Sequence, residues 1–158
     1  MVEPVGDAAL VERFPWVQIS HDNKHLDRGW LDRQLLISRC GDCLRFHHPP
    51  KPICPECWSW RVEPTPVSGR GVIHLAMLLR QGSPAPGVDY EKAPHPVVTV
   101  ELEDQPGLRF TSTIVETPLA EIRIGLPVEL AWIDRYGAPF PAFRPRLLPG
   151  LRPGEGGR

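Results

Sequence analysis

No run of apolar residues in this 158-residue chain approaches the roughly 18 that a membrane-spanning helix needs. A helical membrane span is therefore not expected. Neither charge is in surplus, with 18 Lys and Arg against 19 Asp and Glu. A nucleic-acid binder normally carries a strong basic stripe, so the balance argues against DNA or RNA as a ligand. The opening segment, MVEPVGDAALVERF, places acids early and has no apolar stretch of a secretory leader, which points to the cytoplasm. No serine sits in a nucleophile elbow. The histidines His21, His25, His47, His48, His74 and His95 fall in no catalytic motif. No catalytic residues are expected in the chain itself.

Cysteine is scarce too, and all of it lies in one place. Cys40, Cys43, Cys54 and Cys57 form a C-x2-C-x10-C-x2-C array. Four thiolates converging on one point make a tetrahedral, soft-ligand site that suits Zn2+. Two disulfides, or a redox C-x-x-C, are the alternatives. Without a leader or a βαβ pattern around either pair, neither fits as well. Iron in a rubredoxin-like site would use the same ligands, and the usual preference of structural four-thiolate sites favours zinc. Such a shell is closed, so it offers no metal-activated water, and it leaves no thiol for nucleophilic work. His47 and His48 are read as surface residues or neighbours of the shell. The ribbon, residues 36–62, is too small to bury its own core, and the metal supplies its folding energy. Arg39, Arg45, Lys51 and Arg61 outnumber Asp42 and Glu56 there. Zinc with four thiolates carries two negative charges, which brings the unit close to neutral.

Ahead of the ribbon, residues 1–35 form an N-terminal extension. Phe14-Pro15-Trp16 reads as an anchor on the β domain or on a partner. Asp22 to Leu31 reads as a short helix with Leu26 and Trp30 on one face, interrupted near Gly29. Gln34 to Arg39 leads into Cys40 as a strand. After the ribbon, residues 63–146 follow a β pattern. Val72 to Leu79 is expected to turn Ile73, Leu75, Met77 and Leu79 inward and His74 outward, after a turn and bulge at Ser68–Gly71. Gln81 to Pro96 is a loop with four prolines. Val98, Val100 and Leu102 face inward on the next strand, and Asp104-Gln105-Pro106-Gly107 is a hairpin turn. Leu108, Phe110, Ser112 and Ile114 share a face. Pro118 to Ile124 gives one helical turn stopped by Gly125. Val128, Leu130 and Trp132 line a fourth strand, and Pro139 to Phe143 a short fifth. Residues 147–158 read as a flexible tail. The fold class is mostly β: a rubredoxin-like four-cysteine zinc ribbon followed by a five-stranded barrel of the OB type. An SH3-like barrel would give much the same pattern.

The order of these pieces resembles the acyl-CoA-associated zinc-ribbon/OB-fold family known as domain of unknown function 35. The likeness covers residues 20–146. It is carried by GDCLRFHHPPKPICPEC, SGRGVIH, PHPVVTVELEDQPGLRFTSTIV, IRIGLPVEL and FPAFRP. The family's metal ligands would be Cys40, Cys43, Cys54 and Cys57. Relatives often have Gly after the last cysteine, where this chain has Trp58, so a differently shaped turn is expected. The resemblance implies an accessory subunit without chemistry of its own. Its partner would be a thiolase-like or lipid-transfer-protein-like enzyme, foremost a retro-aldol lyase of steroid side-chain degradation. It would help assemble the complex and bind acyl-CoA. The alternatives are a subunit of an acetoacetyl-CoA thiolase or acyltransferase complex, and a nucleic-acid-binding ribbon/OB protein.

Acyl-CoA needs a groove for its pantetheine arm and positive charge for its phosphates. Trp58, Trp60, Met77 and Phe110 are candidates to line the groove, with plain core packing as the other role for Met77 and Phe110. Arg70, Arg80, Lys92 and Arg109 are candidates for the phosphates, or solvated charges. Trp16, Trp30, Trp58 and Trp60 all lie in or around the ribbon half of the chain, which places the partner contact there.

Overall fold

The computed structural model describes residues 6–82 and 87–147. Two short helices come first, α1 (Asp7–Arg13) and α2 (Lys24–Leu31). Three strands form the ribbon: β1 (Leu36–Cys40), β2 (Phe46–His47) and β3 (Val62–Pro66). Five more form the barrel: β4 (Arg70–Leu79), β5 (His95–Leu102), β6 (Arg109–Ile114), β7 (Pro127–Arg135) and β8 (Ala138–Pro145). The ribbon sheet runs β2-β1-β3, and the barrel closes in the order β4-β5-β6-β8-β7. Its β6–β8 pair is parallel and the other pairs are antiparallel. That strand order is the Greek-key closure of an OB fold, which decides against the SH3-like alternative.

Helix α1 was not expected from DAALVER, whose one long apolar side chain facing inward, Leu10, gives too weak a periodicity. It is held by its neighbour. Asp7 receives Lys24 at 2.9 Å and Arg28 at 2.6 Å, two residues one turn apart on α2. Helix α2 lies where the sequence places it, with Leu26 and Trp30 buried. It is not interrupted at Gly29. A Cβ there would stand 2.8 Å from the Gln34 carbonyl oxygen and from Leu36 Cγ, so the glycine lets the helix lie against the start of β1. Phe14 is fully buried, edge-on to Trp30 at 5.7 Å, and Trp30 is edge-on to Phe140 of the barrel at 5.3 Å. The anchor therefore packs on this chain's own β domain. Trp30 is buried, which removes it from the expected partner contact, and Trp16 is half-buried against Phe14 and Tyr136.

Val98, Val100 and Leu102 of β5 and Phe110, Ser112 and Ile114 of β6 fill the barrel as expected, with Leu108 buried beside them. Strand β4 departs from expectation. Its register against β5 shifts between Ile73 and Leu75, so the bulge falls at His74 rather than at Ser68–Gly71. The extra residue reverses the alternation. Ile73 points into the core, Ala76 then lies opposite the buried Val98, and Leu75 and Met77 are 43% and 42% exposed. Of the inward face assigned to Ile73, Leu75, Met77 and Leu79, only Ile73 is buried. The helical turn appears as a 3-10 turn at Leu119–Glu121, followed by Gly125 at φ 84°. Strand β8 is longer than expected because Tyr136 and Gly137 both take positive φ, 52° and 77°, and close a tight hairpin. The tail lies outside the described residues, apart from Leu147.

Candidate metal centre and exposed ribbon tip

The two knuckles are built alike. Cys40 closes β1, and its backbone N–H reaches the Arg45 carbonyl at 2.9 Å; Cys54 N–H reaches the Ser59 carbonyl at 2.9 Å. Each turn folds its second cysteine back beside the first. All four sulfurs lie within 4.8 Å of one another. Cys40 and Cys57 sulfurs stand 3.6 Å apart, as do those of Cys43 and Cys54. A disulfide would require about 2.0 Å. Sulfurs at about 2.3 Å around a tetrahedral zinc stand about 3.8 Å apart, which these spacings approach. The donor set fits a single zinc ion.

Electrostatics supports the same reading. The Cys40 thiol is lowered to about 6, first by the backbone N–H of Cys43 and also by that of Asp42. Cys57 is pushed up to about 12: the Ser59 N–H draws it down, but burial and the sulfurs of Cys40, Cys43 and Cys54 outweigh it. Four thiolates so close require a cation among them. Asp42 ties the knuckles together from outside, accepting from Arg61 at 2.6 Å and from the Ser59 hydroxyl.

Leu44 and Trp58 directly follow the second cysteine of each pair, and both take the left-handed conformation, at φ 62° and 61°. The turn at Trp58 therefore has the shape a glycine would give it, contrary to expectation. A bulky residue there costs about 1–2 kcal/mol. Both side chains are nonetheless set in solvent, Leu44 at 57% and Trp58 at 78% exposure, with Trp60 at 75%. Of the four tryptophans assigned to a partner contact, Trp58 and Trp60 remain free. Leu44 was missed, though the repeat CGDCL and CPECW signals it.

The other candidates separate. Phe110 is core, packed on Phe143 and on the His48 ring at 5.1 Å. Met77 faces outward. Arg70 pairs with Glu103, Arg109 with Glu101 and Lys92 with Asp89, while Arg80 is exposed. His48 is held down to about 4 by burial and then by His25 and His47. His25 lies 3.4 Å from the Ser38 hydroxyl, which places His25, His47 and His48 at the seam of α2, ribbon and barrel rather than in the metal shell. His21 is exposed, His74 lies 4.0 Å from Glu101, and His95 stands at the barrel's end.

Residues 28–63 match the ChsH2 rubredoxin-like zinc ribbon domain, and residues 64–133 match the ChsH2 C-terminal OB-fold domain. A "DUF35 domain-containing scaffold protein" of Methanocaldococcus jannaschii is 33% identical over 113 residues, covering 68% of this chain and 76% of that protein. The chain belongs to the ChsH2/DUF35 zinc-ribbon and OB-fold family. A chain of a solved structure described as "Ltp2-ChsH2(DUF35) aldolase" superposes with a TM-score of 0.72 at 31% identity, covering 82% of this chain and 98% of that one. A "Probable enoyl-CoA hydratase alpha subunit" of Thermomonospora curvata is 31% identical over 134 residues, but the ChsH2-like chain spans only 40% of its length. A Sulfolobus solfataricus DUF35-family protein of unknown function shares the fold, with a TM-score of 0.55 at 10% identity.

Proposed function

We propose that this ChsH2/DUF35 chain is a zinc-stapled accessory subunit of an acyl-CoA-processing complex. Its partner is a thiolase-like enzyme of the lipid-transfer-protein type, and the complex acts as a retro-aldol lyase on steroid side chains. The observation that carries this reading is the likeness to the chain of the Ltp2-ChsH2(DUF35) aldolase over nearly that chain's whole length. The word scaffold in the names of the archaeal relatives agrees with an assembling role. The exposed Leu44, Trp58 and Trp60 supply the contact surface, and the four cysteines hold it rigid through Zn2+.

In this reading residues 1–35 brace the molecule, 36–62 are the ribbon, 63–146 the barrel and 147–158 a tail. The chain carries no catalytic residue; it works in the cytoplasm, supports acyl-CoA binding by the complex, and leaves carbon–carbon cleavage to the partner. The test is coexpression with a thiolase-like enzyme of the lipid-transfer-protein type. A stable complex should cleave a β-hydroxyacyl-CoA that the purified zinc-loaded chain leaves intact. Failure to co-elute, or turnover by the chain alone, would refute the proposal.

A further inference from the structure

A cleft of ≈ 260 Å³ opens at one end of the barrel, between the start of β5, the end of β6 and the end of β7. Val88, His95, Thr113, Asp134 and Arg135 are on its wall. It lies beside the β4–β5 connection and the β7–β8 turn, the two loops at which OB barrels take their ligands.

Arg135 is the unusual residue here. Arg28, Arg61, Arg70, Arg109, Arg144 and Arg146 each have a carboxylate partner; among the other described arginines only Arg39 is, like Arg135, half-buried, and its Nε donates to the Leu44 carbonyl at 3.0 Å. Arg135 is half-buried, yet no carboxylate among the described residues lies within salt-bridge distance of it. Its guanidinium lies 4.1 Å over the Phe140 ring instead. Stacking holds the planar fork by its face and leaves its N–H edges free. Burial disfavours the charged form of Arg135, as expected of a cation without an anion. His95 is lowered by burial and then by the charge of Arg135, so at neutral pH its ring is uncharged and offers one N–H. Asp134 also borders the cleft, but its carboxylate accepts the Gly137 N–H at 2.9 Å and is bound into the turn. The Thr113 hydroxyl donates to the Pro96 carbonyl at 2.8 Å.

We propose that this cleft is an oxyanion site, with Arg135 as its charged anchor and His95 as a second donor, and that it takes a phosphate group carried by a small molecule. A phosphate presents three oxygens, enough to meet the guanidinium fork and a ring N–H at once. The site stands on Arg135 and its surroundings and does not depend on the identity of the partner enzyme.

The experiment is an amide NMR titration of the zinc-loaded, full-length chain with pyrophosphate at constant ionic strength. Saturable shifts should appear at Val88, His95 and Thr113, and Arg135→Gln should weaken the binding about tenfold or more. Unmoved resonances at these positions, or equal affinity in Arg135→Gln, would overturn the proposal. Unchanged Val98 and Val100 resonances serve as the folding control. If that variant does not fold, Arg135→Lys decides, because the ammonium lacks the fork: severalfold weaker binding supports the site and wild-type affinity overturns it. Coenzyme A and phosphate-free pantetheine separate the sources. Shifts with the first alone assign the phosphates of a nucleotide thioester; shifts with pyrophosphate but neither of these assign a smaller phosphate ester.

Discussion

Replacing Trp58 and Trp60 together by alanine tests where the partner docks. The rings are 78% and 75% exposed in the free chain, so most of their apolar area is available to a partner. A Trp side chain buries about 150–250 Å² when enclosed, and about three quarters of that remains to be covered here. At about 25 cal/mol per Å² this amounts to roughly 3–5 kcal/mol per ring as an upper bound. Ordering costs and incomplete enclosure reduce it, and truncation at interface hot spots typically reads about 2 kcal/mol or more. A loss of about 3 kcal/mol for the pair is expected, or about 100-fold in Kd. The assay is calorimetric titration of the thiolase-like partner with wild-type and double-variant chain, both zinc-loaded. Because the rings are exposed, zinc content and thermal unfolding of the free variant should match wild type. Undiminished partner affinity would refute the reasoning. A drop in zinc content would show that the rings support the ribbon, contrary to their exposure.

Elemental analysis under reducing conditions should find one zinc per chain, and Cys54→Ala should abolish it and expose residues 36–62 to protease; less than about half an equivalent of any metal in wild type would refute the site. Gly29→Ala should cost about 2 kcal/mol or more in urea unfolding, because its new Cβ meets the Gln34 carbonyl and Leu36 at 2.8 Å; an unchanged midpoint would mean that α2 shifts freely. Asp27 is raised by burial from 3.8 to about 6, so its contribution is fully present below about pH 4 and lost as pH rises through 6; Asp27→Asn should therefore gain about 3 kcal/mol on wild type between pH 4 and pH 8, and a flat difference would sink the idea. His48, lowered from 6.5 to about 4, works the other way: its contribution is present above about 6.5 and lost as pH falls through 4, so His48→Gln should flatten the acid limb of the stability profile.

The metal centre was legible because its signal is local. Two C-x-x-C pairs impose two turns, and the turns bring the sulfurs together whatever surrounds them. The barrel was legible where alternation is clean, as at Val98, Val100 and Leu102. It failed at β4, because a bulge leaves no mark in a run as apolar as Ile73 to Leu79; reversing the faces only exchanges one hydrophobic set for another. The tryptophans show the same limit. Trp16 and Trp30 resemble Trp58 and Trp60 in the sequence, but Phe14 and Phe140, far apart along the chain, enclose Trp30, and Phe14 and Tyr136 flank the half-buried Trp16. Arg135 and Phe140 are five residues apart, yet the cleft also needs His95, which only the closure of the barrel brings near.

One contact joins ribbon to barrel in a way that neither module could achieve alone. Gln105, in the β5–β6 turn, accepts the Phe46 N–H at 2.8 Å and returns its own amide N–H to the Phe46 carbonyl at 2.9 Å. A side-chain amide thus plays the part of a neighbouring strand, pairing with both backbone groups of a residue on the sheet's β2 edge. The ribbon cannot swivel without breaking both bonds and leaving those groups unmet. The molecule is in this respect a caliper with fixed jaws: the exposed indoles stand at a set distance and angle from the cleft of Arg135. A partner that grips both must match that span, and release of the metal at one jaw would be felt, through Phe46 and Gln105, in the β5–β6 turn, at the end of the barrel opposite that cleft.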